Sequence, residues 1–184
     1  MNKAPYSIIR KDIKVGDVIG CRGGGLISKI IRKLKGGEWD WSHVAIIIRD
    51  AHNEATGRVE VLEALSKGGM QRNYLSEVYA KDHGRLFWLP LCCNDKQKKK
   101  IMELAVKIVE AKIKYDFKTT WLAVLLPIFV DGKKFNCSEA VWYLLTRAGR
   151  LLHRFNEKSA EIAPVPGNVP TWAGIEPIEI EIKK

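Results

Sequence analysis

No stretch of this chain is apolar for long enough to cross a bilayer. The longest such run, Trp121-Leu122-Ala123-Val124-Leu125-Leu126-Pro127-Ile128-Phe129-Val130, falls well short of the roughly 20 residues a spanning helix needs. It also carries a proline. It is a buried element, a substrate-channel wall or an interfacial insertion. Cysteine is sparse as well: four among 184 residues, irregularly spaced, with Cys92 and Cys93 adjacent. That excludes a disulfide framework and points to reduced thiols. The opening Met1-Asn2-Lys3-Ala4-Pro5-Tyr6 lacks the apolar core of a secretory signal, so a cytoplasmic location is expected. Linkers, low-complexity tracts and internal repeats are missing, and a single domain spanning residues 1–184 is expected.

Acidic residues are in deficit. Lys and Arg number 31 against 21 Asp and Glu, for a net charge of +10. Such a chain is drawn to anionic surfaces, so peripheral association with an anionic membrane is one expectation. Much of the excess lies in 96–118, where it alternates with apolar residues at helical spacing. That pattern reads as a solvated helix face. Interleaved aromatics and any nucleic-acid signature are missing, so nucleic acid is not an expected partner. Gly23-Gly24-Gly25 precedes a helical pattern, but no Gly-Lys-Ser/Thr follows, and a Walker-type phosphate loop is not supported. Cys92-Cys93 lacks a second Cys or His pair at ligand spacing, so no metal is expected, nor any other cofactor. Composition does not address oligomeric state.

What is present suits a globular core: 46% of residues are hydrophobic. Along the chain, 12–21 reads as a lead-in and a strand, with Gly16-Asp17 as a turn and Cys21 in the core. Residues 26–34 repeat apolar positions at the period of one buried helix face. Val44-Ala45-Ile46-Ile47-Ile48 is a continuous apolar run, suited to a strand covered on both faces. After a turn at 53–57, residues 59–65 return as its hairpin partner. There Val59, Val61, Glu63 and Leu65 share one face. A carboxylate on such a face needs a partner unless the face is a solvated edge. Lys67-Gly68-Gly69 is a turn, and 71–79 has mixed character. Residues 85–91 form a strand stopped by Pro90. Asn94 or Asp95 caps a helix to about Lys114, with Ile101, Leu104, Ala105, Ile108 and Ala111 as its stripe. On its wet side Glu103 faces Lys107 and Glu110 faces Lys114. Asp131-Gly132 is a turn, and 178–182 alternates strictly as a strand with one buried face. The order of elements predicts α+β with a mainly antiparallel sheet packed against helices.

The chemistry concentrates at Phe135-Asn136-Cys137-Ser138-Glu139-Ala140-Val141-Trp142. Asn136 is a good N-cap, and Glu139 stands where a capping-box acid belongs. Cys137 is then the first helical residue, with unpaired N–H groups and the positive dipole end aimed at its sulfur. That setting lowers a thiol pKa. The alternative is a structural Cys packed against Leu144 and Leu145. Among the histidines, His43 opens a strand. His52 and His83 lie in turn-like contexts at the surface, and His153, which has no acid beside it, reads as structural.

Taken together, Trp41-Ser42-His43-Val44-Ala45, Val61-Leu62-Glu63-Ala64, Tyr115 and Phe135-Asn136-Cys137-Ser138-Glu139-Ala140-Val141 resemble the circularly permuted NlpC-type branch of the papain-like cysteine hydrolases. The YiiX/YaeF-like amidases are the subgroup nearest in motif. In the permuted members, as here, the His strand precedes the Cys helix. The resemblance covers about 15–169. It implies a papain-like fold and a thiol hydrolase that cleaves an amide, peptide or isopeptide, through a thioester acyl-enzyme. Cys137 would be the nucleophile, His43 the acid and base, and Glu63 the residue orienting the imidazole. Tyr115 corresponds to the family's tyrosine near the nucleophile and would bind substrate or the oxyanion. Unpermuted members have Asp before the Cys, Gly two places after it and a double glycine after the Tyr. Here Asn136, Glu139 and Lys118-Thr119-Thr120 stand instead. The Asn-Cys pair also resembles lecithin:retinol acyltransferase-like proteins, which makes a lipid thioesterase or acyltransferase the alternative. An inactive basic binding module of the same fold is the other.

Overall fold

A computed structural model describes residues 2–24, 28–29, 32–33, 39–52, 57–81, 84–115, 134–150 and 166–181. The strands, in chain order, are β1 (Lys3–Pro5), β2 (Val18–Arg22), β3 (His43–Arg49), β4 (Glu60–Leu65), β5 (Gly69–Tyr74), β6 (Arg85–Leu89), β7 (Lys114–Tyr115), β8 (Lys134–Phe135) and β9 (Ile178–Glu181). Helices occupy Tyr6–Ile9, Leu75–Lys81, Asp95–Glu110, Cys137–Arg147 and Val169–Ala173. Seven strands form one sheet in the order β1-β9-β6-β2-β3-β4-β5. Its neighbours are antiparallel except β1 and β9, which run parallel. β7 and β8 make a separate parallel pair. The fold is therefore α+β with a mixed, mainly antiparallel sheet. The helical pattern at 26–34, most of the 53–57 turn, the 121–130 apolar run, Asp131-Gly132, His83 and His153 fall wholly or largely outside the described residues.

The continuous apolar run of β3 has the environment its composition demands. β3 lies inside the sheet between β2 and β4. Val44, Ile46 and Ile48 join a core with Ile101, Ala105 and Ile108 of one long helix and Ala140, Val141, Leu144 and Leu145 of another. Ala45 and Ile47 join a second core on the opposite face, with Ile13, Ile19, Val61 and Trp88. Alternation of the pleat sends successive side chains to the two cores. β4 pairs with β3 at Ile46↔Leu62 and Ile47↔Val61, which is the expected return. Because β5 flanks β4 on its other side, Glu63 is buried and not at a solvated edge.

Three readings need correction. The Asp95–Glu110 helix stops short of 114: Ala111 is its C-cap, Lys112 has φ 48°, and Lys114 belongs to β7. Ala111 is exposed and no part of the stripe. Glu103 lies 3.8 Å from Lys100, and Lys98 lies 3.3 Å from Asp95, so the ion pairs that form are spaced i,i+3. The mixed 71–79 stretch resolves into β5 and the Leu75–Lys81 helix. Finally, Glu179 of β9 is buried despite the alternating pattern, because β9 lies between β1 and β6. Arg85 clasps both its carboxylate oxygens at 2.6 Å and Lys3 stands at 3.5 Å, which meets the cost of burying the charge.

Asp17 ties the entry of β2 to the exit of β6. One oxygen accepts from Lys14 N and Trp88 Nε1, both at 2.9 Å, and the other accepts from Leu91 N at 2.9 Å. Burial raises the pKa of this carboxyl, and the three donors pull it back. Nearby, Gly20 admits the ring of Trp41 against its backbone. A Cβ there would lie 2.3 Å from the indole, which is itself stacked on Phe87. Asp17→Ala would strand three buried donors. It is expected to lower unfolding free energy by about 3 kcal/mol or more, and Tm by on the order of 10 °C. Thermal denaturation followed by circular dichroism checks this; an unchanged Tm would remove Asp17 from the framework.

Candidate active site

The Cys137–Arg147 helix starts as its sequence requires. Asn136 is extended at φ −86°, ψ 177°, and its Oδ1 accepts from Glu139 N at 3.0 Å. Glu139 Oε2 accepts from Asn136 N at 2.8 Å, completing the box. Ser138 Oγ donates to the same Asn136 oxygen at 3.0 Å. The far end is equally fixed: Gly149, at φ 75°, donates to Thr146 O and Arg150 N donates to Leu145 O, a Schellman closure. Between these ends Ala140, Val141, Leu144 and Leu145 bury the helix against β3 and β4. Cys137 is therefore held at a rigid N-terminus, 8% exposed.

β3 supplies the imidazole. Its first residue, His43, stands opposite Cys21 of β2 in the antiparallel register. Ser42 pins this strand start: its hydroxyl accepts from Gly23 N at 3.0 Å and donates to Cys21 O at 3.2 Å. His43 Nε2 lies 3.0 Å from Glu63 Oε2, with the imidazole 26% exposed and the carboxylate 2%. That contact leaves Nδ1 as the nitrogen available to the thiol, and Cys137 and His43 lie near enough for each to shift the other's pKa. The structure thus brings Cys137, His43 and Glu63 into one connected chain.

The electrostatics favour a thiolate–imidazolium pair. Burial, the largest single influence on either group, opposes charge on both. For His43 it is outweighed by the charge and hydrogen bond of Cys137, then by those of Glu63, and the pKa is pushed up from 6.5 to about 10. For Cys137, His43 acts the same way, and the N–H groups of Val44 and Ser138 also donate to the sulfur, so the thiol pKa falls. Cys93 shows the contrast: it is buried in the fold interior, and its pKa is raised to about 11.

Tyr115 lies in register with Phe135, two residues before Cys137, through the β7–β8 pairing. His52 is exposed in a turn, its Nε2 2.9 Å from Lys11 O, as its context predicts. Sequence reasoning did not single out Asn73, which donates from Nδ2 to Glu63 Oε1 at 2.8 Å. The β4–β5 register, with Val61 opposite Asn73 and Glu63 opposite Gln71, is what brings them together. The turn at Lys67-Gly68-Gly69 was the available signal for that register.

No protein-family model matches this chain, and no curated protein matches its sequence. Its structure is similar to that of the metalloprotein YiiX from Escherichia coli O157:H7. The identity is 18%, the TM-score 0.59, and the likeness covers 92% of this chain and 97% of that one. This is a likeness of fold, and a mixed sheet packed against helices agrees with the papain-like architecture implied by the motif order. Among the described residues, no group of three or more His, Cys, Asp or Glu is arranged to hold a metal ion.

The ion pair exists between the lowered thiol pKa and the imidazolium value of about 10. Alkylation of Cys137 should therefore persist as pH falls, and be lost only below the lowered thiol pKa. At pH 6, iodoacetamide should modify Cys137 at least about ten times faster than free cysteine, whose pKa is about 8.5. His43→Ala should abolish the advantage. Site-resolved mass spectrometry separates Cys137 from Cys92, and equal rates for Cys137 and free cysteine would refute the ion pair.

Proposed function

We propose that this protein is a thiol-dependent hydrolase that cleaves an amide bond, in a peptide or an isopeptide, through a thioester acyl-enzyme. The observation that carries the reading is the His43–Glu63 hydrogen bond set beside Cys137 at the start of a helix, where thiol and imidazole shift each other's pKa. Sγ of Cys137, as thiolate, adds to the carbonyl carbon of the substrate. The backbone N–H of Cys137 has no intrahelical acceptor and is the first donor to the developing oxyanion. Tyr115, registered beside the loop that carries the nucleophile, contacts substrate or adds a second donor. As the tetrahedral adduct collapses, His43 gives its proton to the departing amine, and the C–N bond breaks. The neutral imidazole then removes a proton from water, whose oxygen attacks the thioester. Breakage of the C–S bond releases the acid and restores the pair. Throughout, Glu63 holds Nε2–H, fixing the tautomer and the ring plane.

A lipid acyl ester or thioester is the second substrate class. The net charge of +10 favours it, because that charge would concentrate the protein at an anionic membrane. No helix among the described residues is long and apolar enough to cross one. We assign the protein to the cytoplasm on chemical grounds: none of its four cysteines is disulfide-bonded, and a nucleophilic thiolate keeps its activity in a reducing compartment.

The test is acyl-enzyme capture. Incubation with a panel of activated peptidyl amides and fatty-acyl esters should give a burst and a mass increase on Cys137 equal to the acyl group. Cys137→Ala should give neither. Glu63→Gln should cut turnover by about tenfold or more while leaving the burst site unchanged. A panel that leaves Cys137 unmodified throughout would sink the hydrolase reading and favour a basic binding module. The member that acylates fastest decides between peptide and lipid.

A further inference from the structure

Glu63 is one of the least exposed carboxylates in the protein, and the thiol–imidazole pair uses only half of it. Oε2 meets His43 Nε2 at 3.0 Å; Oε1 faces away from the imidazole and accepts from Asn73 Nδ2 at 2.8 Å. We propose that Asn73 is a positioning residue of the same site: its amide holds the Glu63 carboxylate in the rotamer that meets His43. The proposal rests on the hydrolase reading and adds a fourth member to its chain of hydrogen bonds.

The physical grounds are those of a buried charge. A carboxylate at 2% exposure must have donors on both oxygens or take up a proton. With Oε1 unpaired, the carboxylate is no longer held toward His43, and the imidazolium loses part of the charge that supports it. Asn suits this position where its near-isosteres do not. Leu would leave Oε1 unpaired, and Asp would set a second negative charge beside Glu63, so that the two carboxylates would share a proton. The placement is dictated by backbone register: Asn73 lies diagonally across the β4–β5 pair from Glu63, within reach on the same face.

Asn73 also opens outward. It is half-buried and lines a surface crevice of about 410 Å³ with Glu60, Arg72, Tyr74 and Glu77. Residue 73 therefore has room to change without disturbing either core. Among the described residues, the charged and titratable groups around the chain include Cys21 on β2, opposite His43; Cys137 on the helix; Glu60, Arg72, Tyr74 and Glu77 at the crevice; and Arg49 and Arg58, which pair with Glu60 and Glu77. Arg72 Nη2 is engaged with Glu60 Oε2 at 2.6 Å.

The experiment measures the pH dependence of Cys137 alkylation by iodoacetamide in the full chain, which needs no substrate. Asn73→Leu and Asn73→Asp should each slow alkylation at pH 6 by about tenfold or more, the loss expected for a hydrogen bond to a charged group. Their rates above pH 9 should match the parent, because only the acid limb of the profile moves. The double variant Glu63→Gln with Asn73→Asp reverses the hydrogen bond and returns one negative charge to the chain. It should recover part of the rate lost by either single variant, a non-additivity that a residue merely supporting the fold would not produce. If the parent shows the enhanced low-pH rate and both Asn73 variants superimpose on it, the positioning role is overturned and the hydrolase reading stands. A parent that reacts like free cysteine overturns both.

Discussion

The constraint on which this structure turns is the placement of opposite charges where water is largely excluded. A thiolate and an imidazolium facing each other in a protein interior are costly unless every remaining lone pair and proton finds a partner. Here the partners come from four separate elements. The helix contributes the Ser138 N–H and its dipole, β3 the Val44 N–H, β4 the Glu63 carboxylate and β5 the Asn73 amide. Removing one element exposes a charge that the others cannot satisfy. The relative placement of the Cys137–Arg147 helix and the three strands β3, β4 and β5 is thus the quantity the rest of the fold must protect.

The protection is mechanical and two-sided. β3 and β4 are interior strands, and the first core clamps them to the helix while the second backs them from behind. Interiors packed to crystal-like density transmit small displacements and do not absorb them. Trp41, two residues from His43, is locked against Gly20 and Phe87. Ser42, the residue between, is tied to both sides of Cys21–Gly23. The imidazole therefore hangs from a strand start whose preceding two residues are both immobilised. At the other end of β2, Asp17 joins it to Trp88 of β6 and to Leu91 just beyond, so shear of the sheet centre breaks a buried carboxylate's contacts.

What could be read from sequence follows from which of these contacts are local. The capping box of Asn136 and Glu139 spans three residues, and its pattern is visible in eight. The hairpin of β3 and β4 is written in two apolar segments and a turn, so Glu63 could be paired with His43 before any coordinates. The α+β class came from the order of such segments. Asn73 was hidden because β5 carries no clean alternation: Met70, Arg72 and Tyr74 stand on one face, and Gln71 and Asn73 on the other. Its role depends on a register, not on a pattern. The parallel pairing of β1 with β9 joins residues near opposite ends of the chain, and no local signal reports it. For the same reason Glu179 looked solvent-facing: alternation describes one strand, whereas burial depends on the strands either side of it. The Asp95–Glu110 helix ends early because the chain turns at Lys112, with φ 48°, and Lys114 and Tyr115 pair with β8.

The residues on either side of Cys137 have a physical account of their own. Asp and Asn cap helices about equally well, but they differ in charge. An Asp beside Cys137 would set a negative charge next to a thiolate that is already desolvated, raising the thiol pKa. Asn136 accepts the same hydrogen bond from Glu139 N without that penalty. It also accepts from the Ser138 hydroxyl. Glu139 accepts in turn from Asn136 N, so the tight start of the helix is enforced by a side chain. The two residues therefore act together: a neutral cap spares the thiolate, and the reciprocal acid holds the cap. A fold shared at 18% identity does not carry this chemistry across. It has to be rebuilt from the residues of each chain, and in this one the cap, the imidazole, the carboxylate and the amide behind it all push in the direction of an ionised thiol.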